Sequence, residues 1–160
     1  YKGLEHLLKS IKDMGLLTKL DTNGNRPDVL KKLLDKELID YVAMDIKGPL
    51  DTYGDIARVP VNPNTIKESI DLVMLYAPKY EFRTTMVPAY IKDTADMEAM
   101  GKNIRGAKEW VLQEYDPALS RTRDVALMKS YSRQDTLEFM EVARKYARTV
   151  TLKFTSTGVE

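Results

Sequence analysis

The chain has 160 residues, 43% of them apolar and 31% charged, with 25 basic residues against 24 acidic ones for a net charge of +1. That length suits one domain with its own core over residues 1–160, and the balanced charge gives no electrostatic case for nucleic acid or an anionic membrane. No cysteine is present, which excludes disulfides, thiolate metal sites and thiol catalysis within these residues.

Leu4, Leu7, Leu8, Ile11 and Met14 recur at helical spacing and predict a helix over 2–14 ending at Gly15. The single histidine, His6, falls in this helix and is read as a surface or core-edge residue without a role. The chain begins at Tyr1 with the helical pattern already running, so the expectation is that sequence upstream has been removed. Residues 16–22 read as a strand that runs into the turn Asn23-Gly24. Pro27 opens a helix to about residue 37, followed by a strand over 41–46 (YVAMDI). A Gly-, Pro- and Asp-rich loop covers 47–62, and Asn62-Pro63 opens a helix through Tyr76. A strand over 79–86, a helix over 94–104 and a strand over 108–114 come next. A second long loop runs through Pro117–Arg133, then a helix over 134–147 and a last strand over 149–154. Helix and strand alternate at crossover spacing, so the fold class is α/β with five parallel strands. No apolar run approaches the ~20 residues of a membrane span and no signal peptide is visible, which makes the cytoplasm the expected location.

Side chains alternate across a strand, so each strand can be split into two faces. Leu20, Val42, Met44, Tyr80, Phe82, Trp110, Leu112, Val150, Leu152 and Phe154 fall on greasy faces. Lys19, Asp21, Asn23, Asp45, Lys47, Glu81, Arg83, Thr85, Glu109, Gln113, Thr151 and Lys153 fall on the opposite ones. Parallel strands are ordinarily buried on both faces and read as continuous apolar runs. One polar strand face belongs to a surface sheet, but five in succession favour a barrel-like sheet around a polar cavity. In such folds chemistry sits at the C-terminal strand ends, where Asp21, Asp45, Lys47, Arg83 and Gln113 lie.

Four motifs in order, KLDTNG (19–24), YVAMDIK (41–47), EFRTTMVP (81–88) and WVLQEY (110–115), resemble the radical S-adenosylmethionine activating enzymes of glycyl-radical enzymes. The likeness is greatest to the anaerobic ribonucleoside-triphosphate reductase activating group. It implies a partial (β/α) barrel and a [4Fe–4S] cluster that reductively cleaves S-adenosylmethionine to a 5′-deoxyadenosyl radical. It also implies a protein partner, a glycyl-radical enzyme of the anaerobic ribonucleotide reductase or pyruvate formate-lyase type. Asp45, Lys47 and Arg83 match family positions against the cofactor's methionine end. Asp21 and Thr22 match positions close to that end of the cofactor, beside a bound monovalent cation, Asn23 and Gly24 carry the family turn, and Gln113 stands where some activases have a histidine. The charges suit the ligand: a lysine or arginine takes a carboxylate and an aspartate takes an ammonium.

The departures are as informative. The family's CxxxCxxC triad and its Gly-Gly-Glu-Pro stretch are absent, so the chain reads as the C-terminal portion of a radical S-adenosylmethionine barrel. No catalytic residue and no metal ligand is assigned, and these residues alone are expected to be inactive. Two alternatives stand beside this. One is a non-catalytic module binding S-adenosylmethionine or a partner, docking through the loop 47–60 with Tyr53 and Arg58, or self-associating through an open sheet edge. The other is an ordinary (β/α)-barrel lyase with Lys47 as a Schiff-base lysine, against which an ammonium beside Asp45 is a poor nucleophile.

Overall fold

A computed structural model describes residues 3–57, 60–119 and 123–154. The elements run α1 (Leu4–Asp13), β1 (Lys19–Thr22), α2 (Pro27–Asp35), β2 (Tyr41–Asp45), α3 (Tyr53–Ala57), α4 (Pro63–Tyr76) and β3 (Lys79–Met86). They continue with α5 (Thr94–Asn103), β4 (Ala107–Glu114), α6 (Arg123–Ala126), α7 (Arg133–Arg144) and β5 (Ala147–Lys153). Local chemistry sets several helix starts. Asn62 Oδ1 accepts from the Asn64 N–H at 3.0 Å, and Pro63 takes the first helical position, where a missing N–H costs nothing. Asp93 caps α5 by accepting from the N–H groups of Ala95 and Asp96, and Ser132 with Asp135 forms a reciprocal capping box on α7.

The five strands lie in chain order, β1-β2-β3-β4-β5, and every neighbouring pair is parallel. Consecutive parallel strands joined by crossovers of one hand place the connecting helices on one face, as in an open segment of a (β/α) barrel. The greasy strand faces meet those helices in the main core. Phe82, Trp110, Val42 and Met44 are fully buried there with Ile66, Ile70, Met97 and Met100 from α4 and α5. The opposite, concave face keeps the polar alternation.

Several boundaries differ from the sequence reading. β1 starts at Lys19, where its pairing with Tyr41 begins, and Leu16 and Leu17 before it are 56% and 83% exposed. Thr18, just before it, is tied down by backbone and side-chain bonds together: its carbonyl accepts from the Tyr41 N–H at 3.1 Å, its N–H donates to Asp40 Oδ2 at 2.7 Å and its hydroxyl donates to Leu38 O at 2.7 Å. The segment 47–62 is not structureless, since a 3-10 turn over 50–52 leads into α3. The last helix ends at Arg144, tightened by a Tyr146 N–H bond to Ala143 O, and β5 begins at Ala147. Phe154, assigned to the helix-covered face, lies past the end of β5 and is 73% exposed.

Candidate functional site

Register brings the charges together. Asp45 of β2 pairs across the sheet with Arg83 of β3, and Asp21 of β1 sits one strand further out, opposite Ala43. Arg83 Nε and Nη2 both donate to Asp45 Oδ1, at 3.1 and 3.0 Å, while Nη1 donates to Asp21 Oδ2 at 3.1 Å. Lys47 Nζ stands 3.5 Å from the other Asp45 oxygen. The Arg83 side chain is 17% exposed; partial burial works against its charge, but the bonds to Asp21 and Asp45 outweigh that and push the guanidinium further up. Asp21, Asp45, Lys47 and Arg83 therefore form one alternating cluster at the C-terminal strand ends.

Deeper in the trough the alternation continues. Lys19 Nζ lies 3.3 Å from Glu81 Oε1, 3.9 Å from Asp21 Oδ1 and 4.9 Å from the centre of the Tyr41 ring. The Tyr41 hydroxyl donates to Glu81 Oε2 at 3.1 Å, and burial together with that carboxylate pushes the phenol up to about 12. Glu81 is buried, yet both its oxygens have donors, which is what a buried carboxylate requires.

Beneath the cluster the backbone of 45–47 is pinned on both sides. Toward β3, the Ile46 N–H donates to Arg83 O at 2.8 Å, and Ile46 O accepts from the Thr84 hydroxyl at 2.8 Å. That hydroxyl in turn accepts from Trp110 Nε1 at 2.9 Å, and Thr84 and Trp110 are fully buried. Toward β1, the Tyr53 hydroxyl donates to Asp45 O and accepts from the Lys47 N–H, each at 3.2 Å. Tyr53 is 2% exposed, and burial pushes its phenol up to about 12.

The remaining sequence-predicted residues are placed differently. Thr22 is in register with Met44 and so lies on the helix side of β1; its hydroxyl accepts from the Gly24 N–H at 3.1 Å. Asn23 Oδ1 accepts from the Asn25 N–H at 3.1 Å, so both side chains build the turn. Gly24 has φ +74°, and its carbonyl accepts from the Ser69 hydroxyl at 2.7 Å. Gln113 shares the concave face at the C-terminal end of β4, beside Thr85 and Lys153 in register. Tyr53, read as a docking residue of the loop 47–60, is interior and cannot present its ring to a partner; Arg58 lies outside the described residues. The clamp role of Tyr53 had no signal in strand alternation, since it comes from a loop that folds back.

A cavity of about 80 Å³ opens beside the cluster, lined by Asp45, Lys47, Arg83, Thr85 and Tyr90. A second, of about 360 Å³, shares Lys47 and Tyr90 and extends past Asn23 and Ile56. Two cations and two carboxylates at one mouth can bind a zwitterion, since each ligand charge finds an opposite partner. Lys47 used as an imine-forming nucleophile would first have to leave Asp45.

No family model matches the sequence. A Methanocaldococcus jannaschii protein named as a glycyl-radical enzyme activating enzyme is 28% identical over 146 residues, which cover 89% of this chain and 60% of that protein. The chain thus spans 60% of that relative's length. A domain of the pyruvate-formate lyase-activating enzyme from Bacteroides vulgatus superposes with a TM-score of 0.74 at 14% identity, covering 97% of this chain and 91% of that one. At that identity the likeness is one of fold. The first of these supports the resemblance to the radical S-adenosylmethionine activating enzymes, and the second supports the fold that resemblance implies.

Proposed function

We propose, from that kinship, that this chain is the part of a radical S-adenosylmethionine activating enzyme that holds the amino-acid end of S-adenosylmethionine. A glycyl-radical enzyme is the protein it serves, and the cytoplasm the place. One observation carries the site assignment: Arg83, Asp45 and Lys47 meet within 3.5 Å on one concave face at the strand ends. In this reading Arg83 and Lys47 take the ligand carboxylate, Arg83 through paired N–H donors, and Asp45 takes the ammonium. Asp21 supplies a further negative charge near the sulfonium, Asn23 and Gln113 stand at the mouth, and Thr22, on the helix side of β1, holds the turn behind them. S-adenosylmethionine, when bound, supplies radical chemistry on reductive cleavage. The residues here contribute grip, orientation and charge balance.

The iron–sulfur cluster does not fit these residues. The sequence contains no cysteine, and among the described residues no three His, Asp or Glu side chains are grouped to hold a metal ion. These 160 residues by themselves are proposed not to cleave S-adenosylmethionine. Formation of 5′-deoxyadenosine in an anaerobic reconstitution of this polypeptide alone would overturn that statement. The binding claim is tested by calorimetric titration with S-adenosylmethionine, with Lys47→Ala and Arg83→Ala as controls. Saturable binding that both substitutions weaken is expected; binding indifferent to both would move the ligand elsewhere.

A further inference from the structure

We infer that Tyr53 is a positioning residue, whose hydroxyl takes the place of a missing strand residue and aims Asp45 and Lys47 into the trough. The argument starts from β1, whose pairing with β2 ends at Thr22 opposite Met44. Beyond it the chain turns away through Asn23 and Gly24. In a parallel ladder one residue of the neighbouring strand bonds the C=O of residue i−1 and the N–H of residue i+1. With β1 gone, Asp45 O and Lys47 N–H face the vacated side as such a pair. Left unbonded inside the protein, each would carry a desolvation cost.

Tyr53 meets both with one atom: its hydroxyl donates to Asp45 O and accepts from Lys47 N–H at 3.2 Å each. The ring is buried at the start of α3, and the 3-10 turn over 50–52 brings the chain back to that point. On the opposite side the Arg83 carbonyl and Thr84 hydroxyl hold Ile46. Held from both sides, the chain past the β1 ladder carries Asp45, the last residue of β2, and Lys47 to the same side, where Lys47 Nζ stands 3.5 Å from Asp45 Oδ2. A mere packing tyrosine would need neither bond.

This inference rests on the proposed ligand site, but its test does not depend on that site alone. Tyr53→Phe keeps the ring and removes the hydroxyl. In the wild type the Lys47 amide is expected to be protected from hydrogen exchange; an unprotected amide in the wild type overturns the inference without any variant. In Tyr53→Phe that amide is expected to exchange about tenfold faster, with the Leu112 amide of β4 within about twofold of wild type. Affinity for S-adenosylmethionine is expected to fall about five- to tenfold, and much less when Lys47→Ala is already present, because the two residues act through one geometry. A lower melting temperature with unchanged affinity, or additive losses in the double variant, would make Tyr53 structural only. A wild type that binds no S-adenosylmethionine would remove the proposed function, while Lys47 exchange would still decide whether the clamp exists.

Discussion

Arg83 spends two nitrogens on a single oxygen of Asp45, Nε at 3.1 Å and Nη2 at 3.0 Å, so that the second Asp45 oxygen remains for Lys47 and Nη1 for Asp21. A guanidinium can do this because its donors are fixed in a plane; an ammonium is a point charge and cannot hold both aspartates in that geometry. Arg83→Lys is therefore not conservative. It is expected to lower affinity for S-adenosylmethionine about tenfold or more, while stability moves by about 1 kcal/mol or less because Asp21 is well exposed. Titration calorimetry and urea denaturation of the same sample separate the two effects. Full affinity in the lysine variant would take Arg83 out of the site.

Gly24 answers to two constraints at once. Its φ of +74° is left-handed, and a Cβ there would fall 2.2 Å from Met44 Cε and 3.3 Å from Ser69 Cβ. Met44 is fully buried, so its terminal methyl has little room to retreat. Gly24→Ala is expected to cost about 2–4 kcal/mol, the left-handed penalty plus local overpacking. A lowered urea midpoint with an unchanged slope would match this. A shift equivalent to less than about 0.5 kcal/mol would show that Met44 repacks freely.

The convergence of Asp21, Asp45 and Arg83 was legible in the sequence because strand alternation has a period of two, so equal parity on neighbouring strands means one face. The same rule, applied to Thr22, turns it away from Asp21 and toward Met44, where the structure has it. What the rule could not supply is pairing. Leu16 and Leu17 have strand composition, yet β1 begins only where Tyr41 stands opposite Lys19, and ladder formation depends on a neighbour rather than on propensity. Tyr53 was hidden for a related reason. A loop residue becomes interior when the chain returns over it, and no local pattern encodes that return. The Lys19–Glu81–Tyr41 contacts were visible as face membership but not as bonds, since side-chain reach across β1, β2 and β3 depends on twist.

Asp40 ties the segment before β1 to the rest of the fold and carries a pH dependence. It lies 2.6 Å from Lys12 Nζ and accepts from the Thr18 N–H at 2.7 Å, and these bonds, that to Lys12 above all, hold its carboxyl below the usual range. A carboxyl depressed in the folded state stabilises at pH values above the unfolded pKa, about 3.9 for aspartate, and loses that contribution as pH falls through the folded value. Wild type is therefore expected to lose more stability between pH 6 and pH 3 than Asp40→Asn. Parallel urea titrations at the two pH values check it. Equal losses in both proteins would mean that Lys12 and Thr18 contribute nothing through this carboxylate.

Thr84 links the core to the trough through one hydroxyl. It accepts from Trp110 Nε1 at 2.9 Å and donates to Ile46 O at 2.8 Å, with no exposed surface on Thr84 or Trp110. Thr84→Val keeps the shape and removes the oxygen, leaving an indole N–H and a backbone carbonyl without this partner. The expected cost is about 2–4 kcal/mol, more than a surface threonine would show, because both orphaned groups are held away from water. Trp110 is the single tryptophan, so its emission reports the change at the bond itself. Ile46 stands between Asp45 and Lys47, so loosening its carbonyl should also weaken S-adenosylmethionine binding, and the loss should be smaller in a Tyr53→Phe background, where the opposite side is already free. A Thr84→Val protein with wild-type stability and unshifted emission would show that neither bond contributes, and the two-sided hold on residues 45–47 would then rest on Tyr53 and the Arg83 carbonyl.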